Sequence, residues 1–182
     1  PAEPLSSGEQ LRGLLFGLWM VVGLFLDGWA HDDGRPESFF TPWHAVLYSG
    51  FAATALAALF VVRRRWDRGV PVRAAVPPGH GLTLLGLAGF ALAAVGDLLW
   101  HEGFGIEVGV EALLSPTHLL LFASGLLVLS APVRSRWATP GDDIVRLGPF
   151  LPVVANVALL IGVMGFFLAY LSPFVNDAAA QA

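Results

Sequence analysis

Residues 41–62 read TPWHAVLYSGFAATALAALFVV and contain no acidic residue, lysine or arginine. Their length decides the fold class, because a helix of about 20 mostly apolar residues crosses the roughly 30 Å hydrocarbon core of a bilayer. Four more stretches of this kind occur, at Leu11–Ala30, His80–Trp100, Ser115–Val133 and Phe150–Phe174. None has the alternating pattern of a barrel strand. The sequence therefore predicts an all-α, polytopic membrane helix bundle with five transmembrane helices in a single domain, residues 1–182.

The composition of the 182-residue chain agrees with a membrane protein, since 55% of its residues are hydrophobic and only 13% are charged. Soluble domains carry about 25% charged residues. The net charge of −4 disfavours a nucleic-acid partner, which needs a basic surface. The chain has no cysteine, which excludes disulfides and thiolate ligands. Any metal must therefore be held by histidine and carboxylate side chains.

The ten basic residues are all arginines, and their distribution predicts the orientation of the helices. Five lie in the second connection, within residues 63–73, and three in or beside the fourth, within residues 134–146. The first connection has only Arg35, and the third has none. Arginine-rich connections stay in the cytoplasm. We therefore expect a multi-pass protein of the plasma membrane, with the amino terminus inside and the tail Val175–Ala182 outside.

One pattern of residues occurs twice, each time where a predicted span ends outside and the next begins. It consists of an aspartate, a histidine four residues later and a second histidine at the start of the returning helix. The two copies are Asp27, His31 and His44, and Asp97, His101 and His118. The two aspartates are 70 residues apart, and so are the two first histidines. The sequence therefore predicts a tandem repeat of two helical hairpins, residues 10–66 and 80–137, plus a fifth helix at 150–174.

Each copy brings its three polar side chains to one point by local helix geometry. Aspartate and histidine at positions i and i+4 lie on one face of a helix. Thr41 and Ser115 are suited to be N-caps, and the prolines that follow them suit the first helical position. The second histidine of each copy then lies in the first turn of the returning helix. We expect both sets at the same depth, within one cavity on the outer side.

The two sets have a structural and a functional interpretation. In the structural one, each aspartate only clamps its histidines near the interface. The functional one is a metal site, because carboxylates at membrane depth are costly and usually mark function. The recurrence of the complete set favours metal. Two histidines and one carboxylate suit Cu(II), Zn(II) or Fe(II), whereas Cu(I) prefers sulfur. Such a set also leaves open coordination positions for chemistry on oxygen or water.

Aromatic and acidic residues gather around the predicted outer ends. The aromatic ones are Trp29, Phe39, Phe40, Trp43, Tyr48, Trp100 and Phe104. We interpret most of them as an interfacial belt, with the alternative that some line an apolar substrate pocket. The acidic ones are Glu37, Glu102, Glu107 and Glu111. These are interpreted as solvated loop acids, or as groups that gather cations. The fifth histidine, His80, is predicted to lie at the cytoplasmic interface.

The spacing Asp27-x3-His31-x12-His44 resembles the copper-binding motif of the C subunit of particulate methane and ammonia monooxygenases, the copper membrane monooxygenases. The second set follows one hairpin later, as in that family, although the family typically has Asn at the position of Asp97 and a slightly shorter spacing before the last histidine. The resemblance covers roughly residues 10–133. It implies that the first set binds copper, that the second forms an adjacent site, and that partner subunits exist, one with a soluble copper domain.

We therefore expect a copper-binding integral membrane protein that resembles the metal-bearing subunit of a copper membrane monooxygenase and activates O2 near the outer face. Zinc and iron are the alternative metals. The alternative function is acquisition, storage or transfer of copper or zinc without catalysis, and the few polar residues elsewhere in the spans disfavour transport more than storage. A haem protein with His31 and His101 as axial ligands, or a purely structural subunit, are further alternatives. The expected partners are the lipid bilayer and either a homo-oligomer or partner subunits.

The predicted orientation is testable by thiol labelling of introduced cysteines. The unsubstituted chain is the negative control, because it has no cysteine. In intact cells, an impermeant thiol reagent is expected to label Ala179→Cys but not Ser7→Cys. Disruption of the cells is expected to make Ser7→Cys reactive as well. Labelling of Ser7→Cys in intact cells contradicts the orientation.

Overall fold

A computed structural model describes residues 2–35, 38–105, 113–139 and 147–170. Within these segments the chain forms helices and no strand, which confirms the all-α prediction. The helices are α1 (Ser7–Asp32), α2 (Pro42–Asp67), α3 (Val72–Ala75), α4 (Gly81–Phe104), α5 (Pro116–Leu129), α6 (Ala131–Ala138) and α7 (Leu147–Tyr170). The predicted outer tail and the acids Glu37, Glu107 and Glu111 lie outside the described residues.

Four helices in the described segments are long and apolar enough to cross a membrane: α1, α2, α4 and the part Phe150–Leu168 of α7. The pair α5 and α6 qualifies only if the two count as one bent span. The protein thus has four or five candidate spans, which is consistent with a multi-pass membrane protein. Of the predicted fifth helix, the part beyond Tyr170 lies outside the described residues.

The fourth predicted span is corrected by the structure. The sequence predicts one helix over Ser115–Val133, but the chain bends by 41° between α5 and α6. Pro132 lies in the first turn of α6 and has no N–H to donate to the preceding turn. The Ser130 hydroxyl instead donates to the carbonyl of Leu126 at 2.6 Å. The apolar pattern continues through this break, so hydropathy alone did not detect it.

Close packing of backbones holds each pair of long helices together. A Cβ placed on Gly23 of α1 would collide with the backbone of Leu47 in α2, and one on Gly50 of α2 would lie 2.6 Å from the Met20 nitrogen. In the second pair, a Cβ on Gly86 of α4 would lie 2.9 Å from the Ser124 carbonyl oxygen of α5. Small residues at such crossings let helices approach closely in lipid. The protein therefore contains two tight hairpins, and their relation as a tandem repeat stays a prediction.

The two hairpins meet through a small apolar core. Phe51 of α2 stacks on Phe90 of α4 with ring centroids 4.5 Å apart. The buried core residues are Met20, Val21, Leu47, Phe90, Ala93, Leu121, Leu129 and Val163. Many large apolar side chains point outward instead, such as Leu56 and Leu92, which are 68% and 69% exposed. Such a surface suits contact with lipid tails rather than water.

We predict that Gly50→Leu destabilises the fold, because a side chain at this crossing has no room beside the Met20 backbone. Overpacking of this kind costs about 1–3 kcal/mol, so the unfolding temperature in detergent, followed by circular dichroism, is expected to fall by several degrees. Gly165→Leu is the control, since a Cβ there meets nothing within 4 Å. An equal loss in both variants contradicts the role of the crossing.

Candidate metal centres

The first set lies where α1 ends and α2 begins. Asp27 and His31 are one turn apart on α1, and His44 lies in the first turn of α2. The Asp27 Oδ1 atom is 3.1 Å from His44 Nε2 and 3.7 Å from His31 Nε2. The Thr41 hydroxyl accepts from the His44 backbone N–H at 3.4 Å, which confirms the predicted N-cap. The local helix geometry therefore converges three side chains on one point, as the sequence predicts.

The orientation of His44 leaves two electron-rich atoms facing each other. His44 Nδ1 is 2.9 Å from the carbonyl oxygen of Phe39. A carbonyl can only accept, so Nδ1 carries the hydrogen, and the neutral ring has a lone pair on Nε2. That lone pair faces Asp27 Oδ1, which is buried and has no hydrogen-bond partner. A positive charge between the two atoms, either a proton or a metal ion, relieves this repulsion.

The second set has the same arrangement at the junction of α4 and α5. Asp97 is almost fully buried, with 1% of its surface exposed. Its Oδ2 atom is 3.6 Å from His101 Nε2, and its Oδ1 atom is 3.4 Å from His118 Nε2. The Ser115 hydroxyl accepts from the His118 backbone N–H at 3.2 Å, so the second predicted N-cap is also confirmed.

Two hydroxyl side chains, those of Ser115 and Thr117, link His118 to Asp97, and the chain fixes the direction of each hydrogen bond. The Thr117 hydroxyl donates to Asp97 Oδ1 at 2.9 Å. Its single hydrogen is then used, so it accepts from the Ser115 hydroxyl, 3.1 Å away. Ser115 in turn accepts from His118 Nδ1 at 3.0 Å. In its neutral form, His118 therefore presents the lone pair of Nε2 to Asp97. The other histidine of this group, His101, has its Nδ1 atom buried with no hydrogen-bond partner.

Both sets fit the requirements of a bound divalent metal. In each set, one ligand atom per residue lies within 4.8 Å of the other two. Metal bonds of about 2.0–2.2 Å place neighbouring ligands about 3–3.6 Å apart, close to the observed aspartate–histidine distances. Histidine ligands usually donate their second N–H to a fixed partner, as His44 does to Phe39 and His118 to Ser115. The six predicted residues thus form two groups that can hold a metal ion.

A cavity of about 170 Å³ lies between the two groups. Five of the six predicted residues line it, and His101 is the one that does not. Apolar side chains form much of the remaining wall, among them Phe90, Leu121 and Val163. Met20 also lines this cavity, although the sequence places neither methionine beside the motifs. The two groups therefore face one small, largely apolar space, in agreement with the expectation of a common cavity.

Thr117 is a site residue that the sequence does not single out, whereas Tyr48 is one of the outer aromatic residues and lines the cavity, in agreement with the pocket alternative for some of them. The Tyr48 ring lies 6.1 Å from that of His44, and its hydroxyl lies near the Asp97 carboxylate. It thus connects the first group to the second. Its position four residues after His44, on the same helix face, was the available signal. Thr117 precedes His118 directly, but only the packing of α4 against α5 brings it to Asp97.

Of the other predicted residues, Phe39 lies beside His44 with ring centroids 5.7 Å apart, whereas several others take no part in the two groups. Phe40 and Phe104 are 82% and 75% exposed, which suits the predicted belt. Glu102 is exposed and belongs to neither group of potential ligands. His80 precedes α4 at the opposite end of the hairpin, and its Nδ1 donates to the Pro78 carbonyl at 3.0 Å. Burial lowers the pKa of His80, so its ring is neutral at pH 7.

Comparison with protein families, curated proteins and solved structures gives no match for this chain. The function therefore has to be inferred from the two groups, their cavity and the surrounding helices.

We predict that Thr117→Val weakens metal binding at the second group by about 10- to 100-fold, the usual effect of removing a hydrogen bond to a ligand. The change keeps the side-chain shape but removes the hydroxyl that donates to Asp97. Chelator competition in detergent measures the affinity of each site.

Thr54→Val is the matched control, because the Thr54 hydroxyl is also buried but donates to the Gly50 carbonyl of its own helix. Loss of affinity in both variants, or in neither, contradicts the role assigned to Thr117.

Proposed function

We propose that this protein binds copper in its two Asp/His/His groups and activates O2 for oxidation of a small apolar substrate, as the metal-bearing subunit of a copper membrane monooxygenase does. The observation that carries the proposal is the pair of equivalent groups on one largely apolar cavity. The resemblance of the Asp27, His31 and His44 spacing to that family supports it. The proposed location is the plasma membrane, with both groups on the extracytoplasmic side.

The donor atoms favour copper over the alternative metals. Each group offers two imidazole nitrogens and one carboxylate oxygen. Sites of nitrogen and oxygen donors bind Cu(II) more tightly than the other divalent metals of the first row. Zinc and iron fit the same donors with lower affinity, so they remain the alternatives if copper is scarce where the protein resides.

The residues around each group would prepare it for this chemistry. Bound copper supplies the redox chemistry that O2 activation requires. Phe39 and Ser115 hold the second nitrogen of His44 and His118 and so direct Nε2 at the aspartate. Three protein ligands leave coordination positions open. The apolar wall around Phe90 excludes water and suits a small apolar substrate. Electrons must come from outside, in this proposal from a partner subunit with a soluble copper domain.

Acquisition or storage of copper or zinc without catalysis is the second candidate function. It is favoured by the unequal exposure of the two groups. The Asp27 and His31 side chains on α1 are 14% and 33% exposed, whereas Asp97 and His101 on α4 are 1% and 9% exposed; His118 is the most exposed ligand of the second group, at 24%. Metal would then enter at the more accessible Asp27 and His31 and be retained at the more buried Asp97 and His101, with Tyr48 between the groups.

We predict that His44→Ala removes copper from the first group, because no cysteine exists to replace the lost bond. Copper content, measured by elemental analysis of detergent-purified protein after copper-replete expression, is expected to fall by about half, since one of two groups is lost. His80→Ala is the control and is expected to keep the full content, because His80 lies at the other end of α4.

Full copper content in His44→Ala, or loss of copper in His80→Ala, overturns the site. Oxygen consumption with short alkanes or ammonia, in the presence of a reductant, then separates the two functions. Turnover that is lost in His44→Ala supports the oxygenase. Bound copper without turnover, even with candidate partner subunits added, favours acquisition or storage.

A further inference from the structure

A second and much larger cavity lies at the opposite, arginine-rich end of the bundle. Its volume is about 1290 Å³, above the roughly 300–1,000 Å³ of clefts for drug-sized molecules. All the long helices contribute to its wall, and none of the six residues of the metal groups does. The copper proposal therefore leaves this cavity without a role.

Most of the cavity wall is apolar. Phe16 of α1, Leu56 and Phe60 of α2 and Val153 of α7 line it. Three buried polar side chains, Thr54, Thr83 and Asn156, also contribute, but each makes a hydrogen bond within the protein. The buried part of the wall thus offers contact to a long apolar group rather than to a polar solute.

Cationic side chains line the same cavity. They are Arg12, Arg63, Arg64 and Arg136. Arg63 forms an ion pair with Asp67 at 3.0 Å, and the one acidic residue in the lining, Glu9, closes the capping box of α1 through Ser6. Among the described residues, Arg12, Arg64 and Arg136 have no carboxylate within ion-pair distance. Among the described residues, the cavity lining therefore carries more positive than negative charge, with Glu9 near Arg12 as its one carboxylate.

We propose that this cavity binds an anionic membrane phospholipid, with its phosphate at Arg64 and Arg136 and its acyl chains along the apolar wall. A soluble anion would make no favourable contact with the apolar wall, and an apolar substrate would make no ion pair with the arginines. An anionic amphiphile matches both. Arginine donates two parallel hydrogen bonds to phosphate, and basic pockets between membrane helices bind acidic headgroups. The site does not depend on copper.

The test uses the full chain in detergent and measures bound lipid by native mass spectrometry. Phosphatidylglycerol is expected to bind and phosphatidylcholine is not. The charge-pair variant Arg64→Gln/Arg136→Gln is expected to bind phosphatidylglycerol about 25-fold more weakly, at about fivefold for each arginine. The control is Arg68→Gln/Arg73→Gln, which removes the same charge from arginines that do not line the cavity.

A second variant tests the apolar wall without a change of charge. Ala57 lies on the wall between Leu56 and Phe60, and Ala57→Trp is expected to weaken phosphatidylglycerol binding by filling the space of an acyl chain. Unchanged unfolding temperature shows that each variant is folded. If the charge pair fails to fold, Arg64→Gln alone is expected to lose fivefold, since Arg64 is exposed.

Four results overturn the proposal. Equal binding of phosphatidylglycerol and phosphatidylcholine removes the role of charge, and an equal loss in the control pair makes the attraction non-specific. Unchanged binding in Ala57→Trp excludes the acyl chains from the cavity. Displacement of phosphatidylglycerol by millimolar inorganic phosphate likewise contradicts the lipid and identifies a site for free anions.

Discussion

The burial of two carboxylates in an apolar bundle is the constraint on which the rest of this structure depends. Asp97 is 1% exposed, and Asp27 Oδ1 is buried without a hydrogen-bond partner. Charged groups in such surroundings need a compensating charge or a full set of hydrogen bonds. Asp97 accepts a hydrogen bond from the Thr117 hydroxyl. The histidines around each aspartate therefore compensate its negative charge only when the group also holds a cation.

Helix packing brings the ligands of each group together. The Gly23 and Gly50 crossing brings α2 against α1 closely enough for His44 to reach Asp27, and the Gly86 crossing does the same for α4 and α5. The stacked rings of Phe51 and Phe90 then join the hairpins. Tyr48 lies between the two groups of potential metal ligands. Interactions within each hairpin form the two sites, whereas interactions between the hairpins form the cavity that the sites share.

The sequence predicts what depends on neighbours along the chain and, through the repeat, the shared cavity, but it does not predict several features that depend on packing. The four-residue spacing of Asp27 and His31, and the N-caps Thr41 and Ser115, act within one helical turn, and all appear as expected. The four-residue spacing from His44 places Tyr48 on the face of the first group, but the approach of Tyr48 to Asp97 joins different hairpins and depends on packing. The sequence does not predict the break after Leu129, because the hydropathy continues through it. It does not predict the arginine-lined cavity either, because six helices form the wall of that cavity.

The placement of the arginines explains why the compensating cation must come from outside the chain. Arg12 lies 15 residues before Asp27 on α1, about 22 Å away at 1.5 Å per residue, where its attraction is weaker than about 1 kcal/mol even at an effective dielectric constant of 20. Arg35 is nearer, but it is paired with Asp33 at 2.7 Å and lies over the Trp29 ring. Among the described residues no arginine or lysine therefore neutralises Asp27 or Asp97. A proton satisfies one aspartate–histidine contact at a time, whereas a divalent metal satisfies all three ligands of a group at once, and this difference favours metal as the cation.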